Sequence, residues 1–188
     1  MKRIAIYCGA NTGNNPVYLA AARAMGRALA AKNLGLVFGG GRVGLMGAIA
    51  DAALEAGTTV HGVIPEALAT TELAHHGVTK LHVVKTMHER KALMADLSDA
   101  FVAMPGGFGT LDELFEMLTW GQLGFHTKPV GLLDAGGFFA PLLAMADAMV
   151  RDGFVKKAQR DAIKVHADPA ALLDALGACH VARSAGPT

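Results

Sequence analysis

Short apolar runs alternate along the chain with longer stretches whose apolar residues recur at helical spacing. "RIAIYC" (3–8), "LGLVF" (34–38), "TTVHGVI" (58–64), "KLHVV" (80–84), "DAFVAM" (99–104) and "PVGLL" (129–133) each predict a β-strand, and a weaker one stands near 163–166. Helices are predicted between them. The first runs from Pro16, in its favoured first-turn position, to about Asn33, and the second covers 44–55 and is ended by Gly57. Others are expected at 87–97, 110–123, 138–151 and 169–178. Residues 65–79 form the longest expected loop, and the tail from Arg183 is expected to fray.

Strands that are apolar almost throughout, separated by helices, predict a parallel sheet covered on both faces. Right-handed crossovers then leave one solution: a single-domain, Rossmann-like, doubly wound α/β fold over residues 1–182 with helices on both faces. Ligands in such folds bind beyond the carboxyl ends of the strands. Two glycine clusters fall at such ends.

Composition narrows the classes. The 188 residues carry a net charge of +1 and no basic stripe, so a nucleic-acid partner is not expected. Hydrophobic residues make up 52%, yet no apolar run approaches the roughly 18 residues of a membrane span. Cys8 and Cys179 form no CxxC pair and no apolar signal segment opens the chain, so a reducing cytoplasm is the expectation. The eight histidines show no ligand spacing, and no metal site is expected.

The loop "GGGRVGLMG" (39–47) contains Gly39-x-Gly41-x-x-Gly44, with Glu66 at the end of the next strand. That spacing allows a dinucleotide site, a more general phosphate contact, or a tight turn with close packing. "PGGFGT" (105–110) is the sharper signal. Its glycines let backbone approach a ligand, and the helix that follows offers free amides and a positive dipole end. Gly106, Gly107, Gly109 and the Thr110 hydroxyl are therefore candidate phosphate contacts. Thr110-Leu111-Asp112-Glu113 also fits a capping box, which alone would explain Glu113. On a helical wheel Leu111, Leu114, Phe115 and Leu118 share one face. Glu113, Glu116 and Trp120 take the other, facing solvent, a cleft or a partner chain.

In "MHERKALMADL" (87–97), Met87, Leu93, Met94 and Leu97 form an apolar stripe, and Arg90 projects from its middle. Thr86-Met87-His88-Glu89 is a second capping box and accounts for Glu89, not for Arg90. A guanidinium there either meets a carboxylate or bound anion, or reaches water along the helix edge. Lys91 lies nearer the edge and is expected to be solvated or peripheral to a site. A phosphate loop, a carboxylate one turn along and an inward arginine suit a sugar phosphate whose anomeric carbon lies near the carboxylate.

"GGGRVGLMG", "GVIPEAL", "MHERKALM", "PGGFGTLDELFE" and "TWGQLGFHTKPVGLL" resemble, in order and spacing, the LONELY GUY family, over about residues 3 to 155. Its members are cytokinin riboside 5′-monophosphate phosphoribohydrolases, long labelled lysine decarboxylases, and relatives hydrolyse ordinary purine monophosphates such as AMP. The resemblance implies a Rossmann-like fold, no cofactor, and a homodimer with sites at its interface. The family's PGGxGTxxE falls on 105–113 and its MHxRK on 87–91, which assigns catalysis to Glu113 and Arg90. The expected substrate contacts are Gly106, Gly107, Gly109, Thr110, Lys91, Gly41, Met87 and Glu116. The chain departs from the family at Ala10, Asn11 and Thr12 after the first strand and at Arg42 in the glycine loop, positions that bear on ribose and phosphate contacts. A nucleotide-binding sensor or carrier without catalysis, and an NAD-dependent enzyme, are the alternatives that the same loops allow.

Overall fold

The computed structural model describes residues 1–69 and 73–184, with side chains described as far as residue 180. A single sheet of parallel strands runs through the middle: β1 (Arg3–Tyr7), β2 (Gly35–Phe38), β3 (Val60–Pro65), β4 (Lys80–Val84), β5 (Ala100–Ala103), β6 (Val130–Leu133) and β7 (Lys164–His166). Their order across the sheet is β4-β3-β2-β1-β5-β6-β7. Every predicted strand is present, and the doubly wound α/β expectation holds. β1 is flanked by β2, with Ile6 opposite Phe38, and by β5, with Tyr7 opposite Ala103. The strand order reverses between β1 and β5, so the carboxyl ends of these two strands border an open crevice.

Alternation along the strands feeds two cores. Ile4, Ile6 and Cys8 face one layer with Met25 of α1 (Pro16–Ala31), Ile49 of α2 (Gly44–Glu55) and Leu172 of α7 (Pro169–Ser184). Ala5 and Tyr7 face the other, with Met94 of α3 (Met87–Asp96), Leu114 and Met117 of α4 (Phe108–Gln122), and Phe139. Burial on both sides explains why these strands are apolar without a break. The chain is completed by α5 (Ala140–Arg151), α6 (Lys157–Asp161) and single 3-10 turns at Glu66–Leu68 and Ala135–Gly137.

Several local expectations change. Helix α6 was not expected. α7 continues to Ser184, so Arg183 lies within its span, and the rest of the tail lies outside the described residues. The 65–79 loop contains a 3-10 turn, and its residues 70–72 also lie outside them. Helix α4 starts at Phe108 with Gly107 as its N-cap and no side-chain cap. Thr110 is therefore inside the helix, and the capping box expected to explain Glu113 does not form. The box at Thr86 is real on one side: Glu89 N donates to Thr86 Oγ1 at 3.1 Å. Glu89 itself reaches one residue further back and accepts from Lys85 N at 2.8 Å.

Candidate active site

A cavity of ≈ 440 Å³ opens beyond the carboxyl ends of β1, β2 and β5. Three segments wall it: Cys8–Gly13 after β1, Gly39 after β2, and Pro105–Thr110, which runs from β5 into the first turn of α4. The volume falls within the range of small-molecule sites. The Pro105–Thr110 loop is held from below, since Gly9 N donates to Pro105 O at 3.1 Å. Gly106 is required by contact: a Cβ there would run into the Thr110 side chain and lie 2.9 Å from Gly9 N. Leu111 N makes the first helical bond, to Gly107 O at 3.2 Å. The amides before it have no partner within the helix and sit where Gly107, Gly109 and Thr110 line the cavity.

Arg90 enters from α3. Its Nε donates to Val63 O at 3.2 Å and its Nη2 to Gly39 O at 3.3 Å. The guanidinium is thus fixed by a carbonyl of β3 and by that of the residue after β2, and does not escape to water. It faces the carboxylate of Glu113, with Nη2 3.6 Å from Oε1. Gly39 makes this position possible, because a Cβ at residue 39 would occupy the guanidinium's place. Glu113 is 8% exposed. Burial pushes its carboxyl up to about 7, against the pull of Arg90 and Lys91 and with help from Asp112 and Glu116. A carboxyl that changes charge near neutrality inside a cleft is a candidate for chemistry.

The wheel expected for α4 is rotated. Thr110, Glu113, Leu114 and Met117 form the buried face, whereas Phe115, expected in the core, is 41% exposed. Glu113 does face a cleft, and the helix turns to bring it there. Lys91 is a second correction. It is buried, not solvated, and its Nζ lies 3.1 Å from both Asp112 Oδ2 and Glu116 Oε2. Burial would lower its pKa, but hydrogen bonds to Glu116 and Asp112 raise it above the usual lysine value.

Of the predicted residues, Arg90, Glu113, Met87, Gly106, Gly107, Gly109 and Thr110 meet in one cavity wall. Lys91, Glu116 and Gly41 stand outside that wall. Lys91 and Glu116 form the ion-pair network behind Glu113, and Gly41 pairs with Ala74 in an isolated bridge. Arg42 is exposed and away from the cavity as well. Gly39, singled out in the glycine loop, lines the cleft too, and so do Tyr7, Tyr18 and Phe138, which the sequence reading did not name. Tyr7 carried a usable signal, since it ends a strand that borders the crevice.

Fold and cleft together define a Rossmann-type α/β protein whose charged site lies at the reversal point of a parallel sheet. Residues 46–176 match the family described as "Possible lysine decarboxylase". The chain is 51% identical over 168 residues to a cytokinin riboside 5′-monophosphate phosphoribohydrolase of Rhodococcoides fascians, covering 89% of this chain and 85% of that one. It is 47% identical over 162 residues to the cytokinin riboside 5′-monophosphate phosphoribohydrolase LOG1 of Arabidopsis thaliana, covering 86% and 76%. The chain belongs to the LONELY GUY family. Among solved structures, the molybdenum cofactor carrier protein of Chlamydomonas reinhardtii superposes with a TM-score of 0.73 at 22% identity over 96% of this chain and 98% of that one. At that identity the likeness is one of fold.

Proposed function

We propose that this protein hydrolyses the N-glycosidic bond of purine nucleoside 5′-monophosphates, N6-modified ones included, to free base and ribose 5-phosphate. The observation that carries the reading is the Arg90–Glu113 pair, buried and facing across one cavity with an uncapped helix start. The Gly106–Thr110 amides and the α4 dipole take the 5′-phosphate. Fixing the phosphate places the anomeric carbon, so binding energy remote from the scissile bond assists its cleavage. As the C–N bond breaks, positive charge builds on the sugar. Ionised Glu113 stabilises that charge and orients water for attack at C1′. Arg90, tied to two carbonyls, orients Glu113 and ribose. Leu45, Met46 and Met87 offer the purine an apolar wall.

The active form of Glu113 is the anion, so kcat/KM rises with pH through about 7, where its carboxyl titrates. Supporting a homodimer, Phe108, Phe115, Leu123 and Phe125 are exposed on α4 and the turn after it, and a second copy covers them beside the cleft. No helix among the described residues is long and apolar enough to cross a membrane, and both cysteines are free, as a cytoplasmic location requires. The test is a Glu113→Gln variant assayed on AMP and N6-isopentenyl-AMP. Turnover should fall by roughly 10²–10³ with nucleotide binding retained. Binding of nucleotides by the wild type without release of base would instead indicate a sensor or carrier.

A further inference from the structure

Tyr7 ends the central strand with its side chain 2% exposed, and its hydroxyl has no hydrogen-bond partner. Buried hydroxyls are nearly always paired, so an orphan in a cavity wall calls for a reason. The ring stacks on Phe101 at 6.3 Å between centroids and belongs to the same buried cluster as Leu114 and Met117 of α4. It lines the same cavity as Glu113, and the register that sets Ile6 opposite Phe38 brings it beside Gly39, whose carbonyl holds Arg90. The charges that act on the phenol are Glu113, Glu116 and Arg90. Glu113 is short of donors, since its Arg90 contact of 3.6 Å is longer than a hydrogen bond. Glu116 Oε2 is likewise buried without a hydrogen-bond partner, but it has the Lys91 ammonium at 3.1 Å and stands outside the cavity wall that Tyr7 and Glu113 share.

We propose that the Tyr7 hydroxyl is the hydrogen-bond donor that holds the Glu113 carboxylate once it ionises, which makes Tyr7 a positioning residue for the hydrolysis. A protonated Glu113 does not need this donor, and an ionised one does. Burial, then Glu113 and Glu116, raise the Tyr7 pKa well above that of a free phenol, so the proton stays on oxygen and remains available to donate. The other groups that bear on Glu113 are Arg90 and Lys91 from α3 and Asp112 and Glu116 from its own helix. The buried Cys8 thiol of the first strand end stays protonated. The consequence for activity rests on the function proposed above; the hydrogen bond itself does not.

Tyr7→Phe removes one oxygen that has no partner while Glu113 is protonated, so the fold should be retained and the melting temperature at pH 5 unchanged. Carboxyl ¹³C NMR, with the Glu113 signal assigned by its loss in Glu113→Gln, should show the Glu113 midpoint rising by roughly one pH unit or more. Base release at pH 7 should then fall about fivefold for a one-unit rise and recover by about pH 9, with KM unchanged. A midpoint that does not move, as it would if the phenol served Glu116, overturns the proposal. So does a loss of activity equal at every pH, which would mark a packing role. If the wild type releases no base at all, the functional reading fails, and the NMR midpoint still decides whether Tyr7 holds Glu113.

Discussion

Glu113 carries its charge where the surroundings resist charge, and this has a consequence for stability as well as for rate. Its folded pKa of about 7 lies above the 4.5 of a free glutamate. Its contribution is thus fully present below about 4.5 and is lost as pH rises through 7. Glu113→Gln removes that loss, so the variant should melt higher than wild type at pH 8 and lose the advantage at pH 4. Calorimetry at the two pH values checks the sign. Gly39 makes the companion prediction. Gly39→Ala displaces the Arg90 guanidinium by the width of a methyl group, and activity should fall roughly a hundredfold without loss of fold. Arg90 was legible in the sequence because a guanidinium in an apolar stripe violates a pattern. Glu113 was legible only ambiguously, because the same residues spell a helix cap. The Val63 and Gly39 carbonyls that fix Arg90 leave no mark in side-chain chemistry, so nothing in the sequence could name them.

At the scale of elements, α3 and α4 carry the site, and Lys91 joins them. Its ammonium bridges carboxylates one helical turn apart on α4, directly beside Arg90 on α3. Lys91→Met leaves Glu116 half-buried without its cation, which should destabilise the fold by about 2–3 kcal/mol. Denaturant unfolding measures that. Because Lys91 stands off the cavity wall, the same variant should lower kcat more than it raises KM. The sequence misplaced Lys91 because a helical wheel shows which residues share a face and not which neighbour covers it. It misplaced α4 for a related reason. Leu111, Leu114, Phe115 and Leu118 form a sound stripe, yet the helix begins earlier and turns until Glu113 meets the cleft, leaving Phe115 outside. Helix α6, a single short turn of mostly polar residues, has no periodicity long enough to detect.

For the whole molecule, the position of the cleft follows from the strand order. β1 sits between β2 and β5, and loops from all three converge where the winding reverses. The fold was legible because each strand is buried on both faces and so appears as an unbroken apolar run. The strand order was not, since parallel strands carry no mark of their neighbours. The apolar side chains left exposed along α4 are the face that the proposed dimer would bury. Phe125, 73% exposed and not part of the cavity wall, is the residue to alter. Phe125→Asp should weaken self-association by more than about tenfold, seen as a shift to monomer by light scattering, and reduce base release with it.

The most direct measurement is the parallel release of free base and ribose 5-phosphate from AMP and N6-isopentenyl-AMP by wild-type and Glu113→Gln protein. Equimolar products from the wild type on at least one nucleotide, with near-complete loss in the variant, are the predicted result. Undiminished release by Glu113→Gln, or nucleotide binding by the wild type with no base released from either, would contradict it.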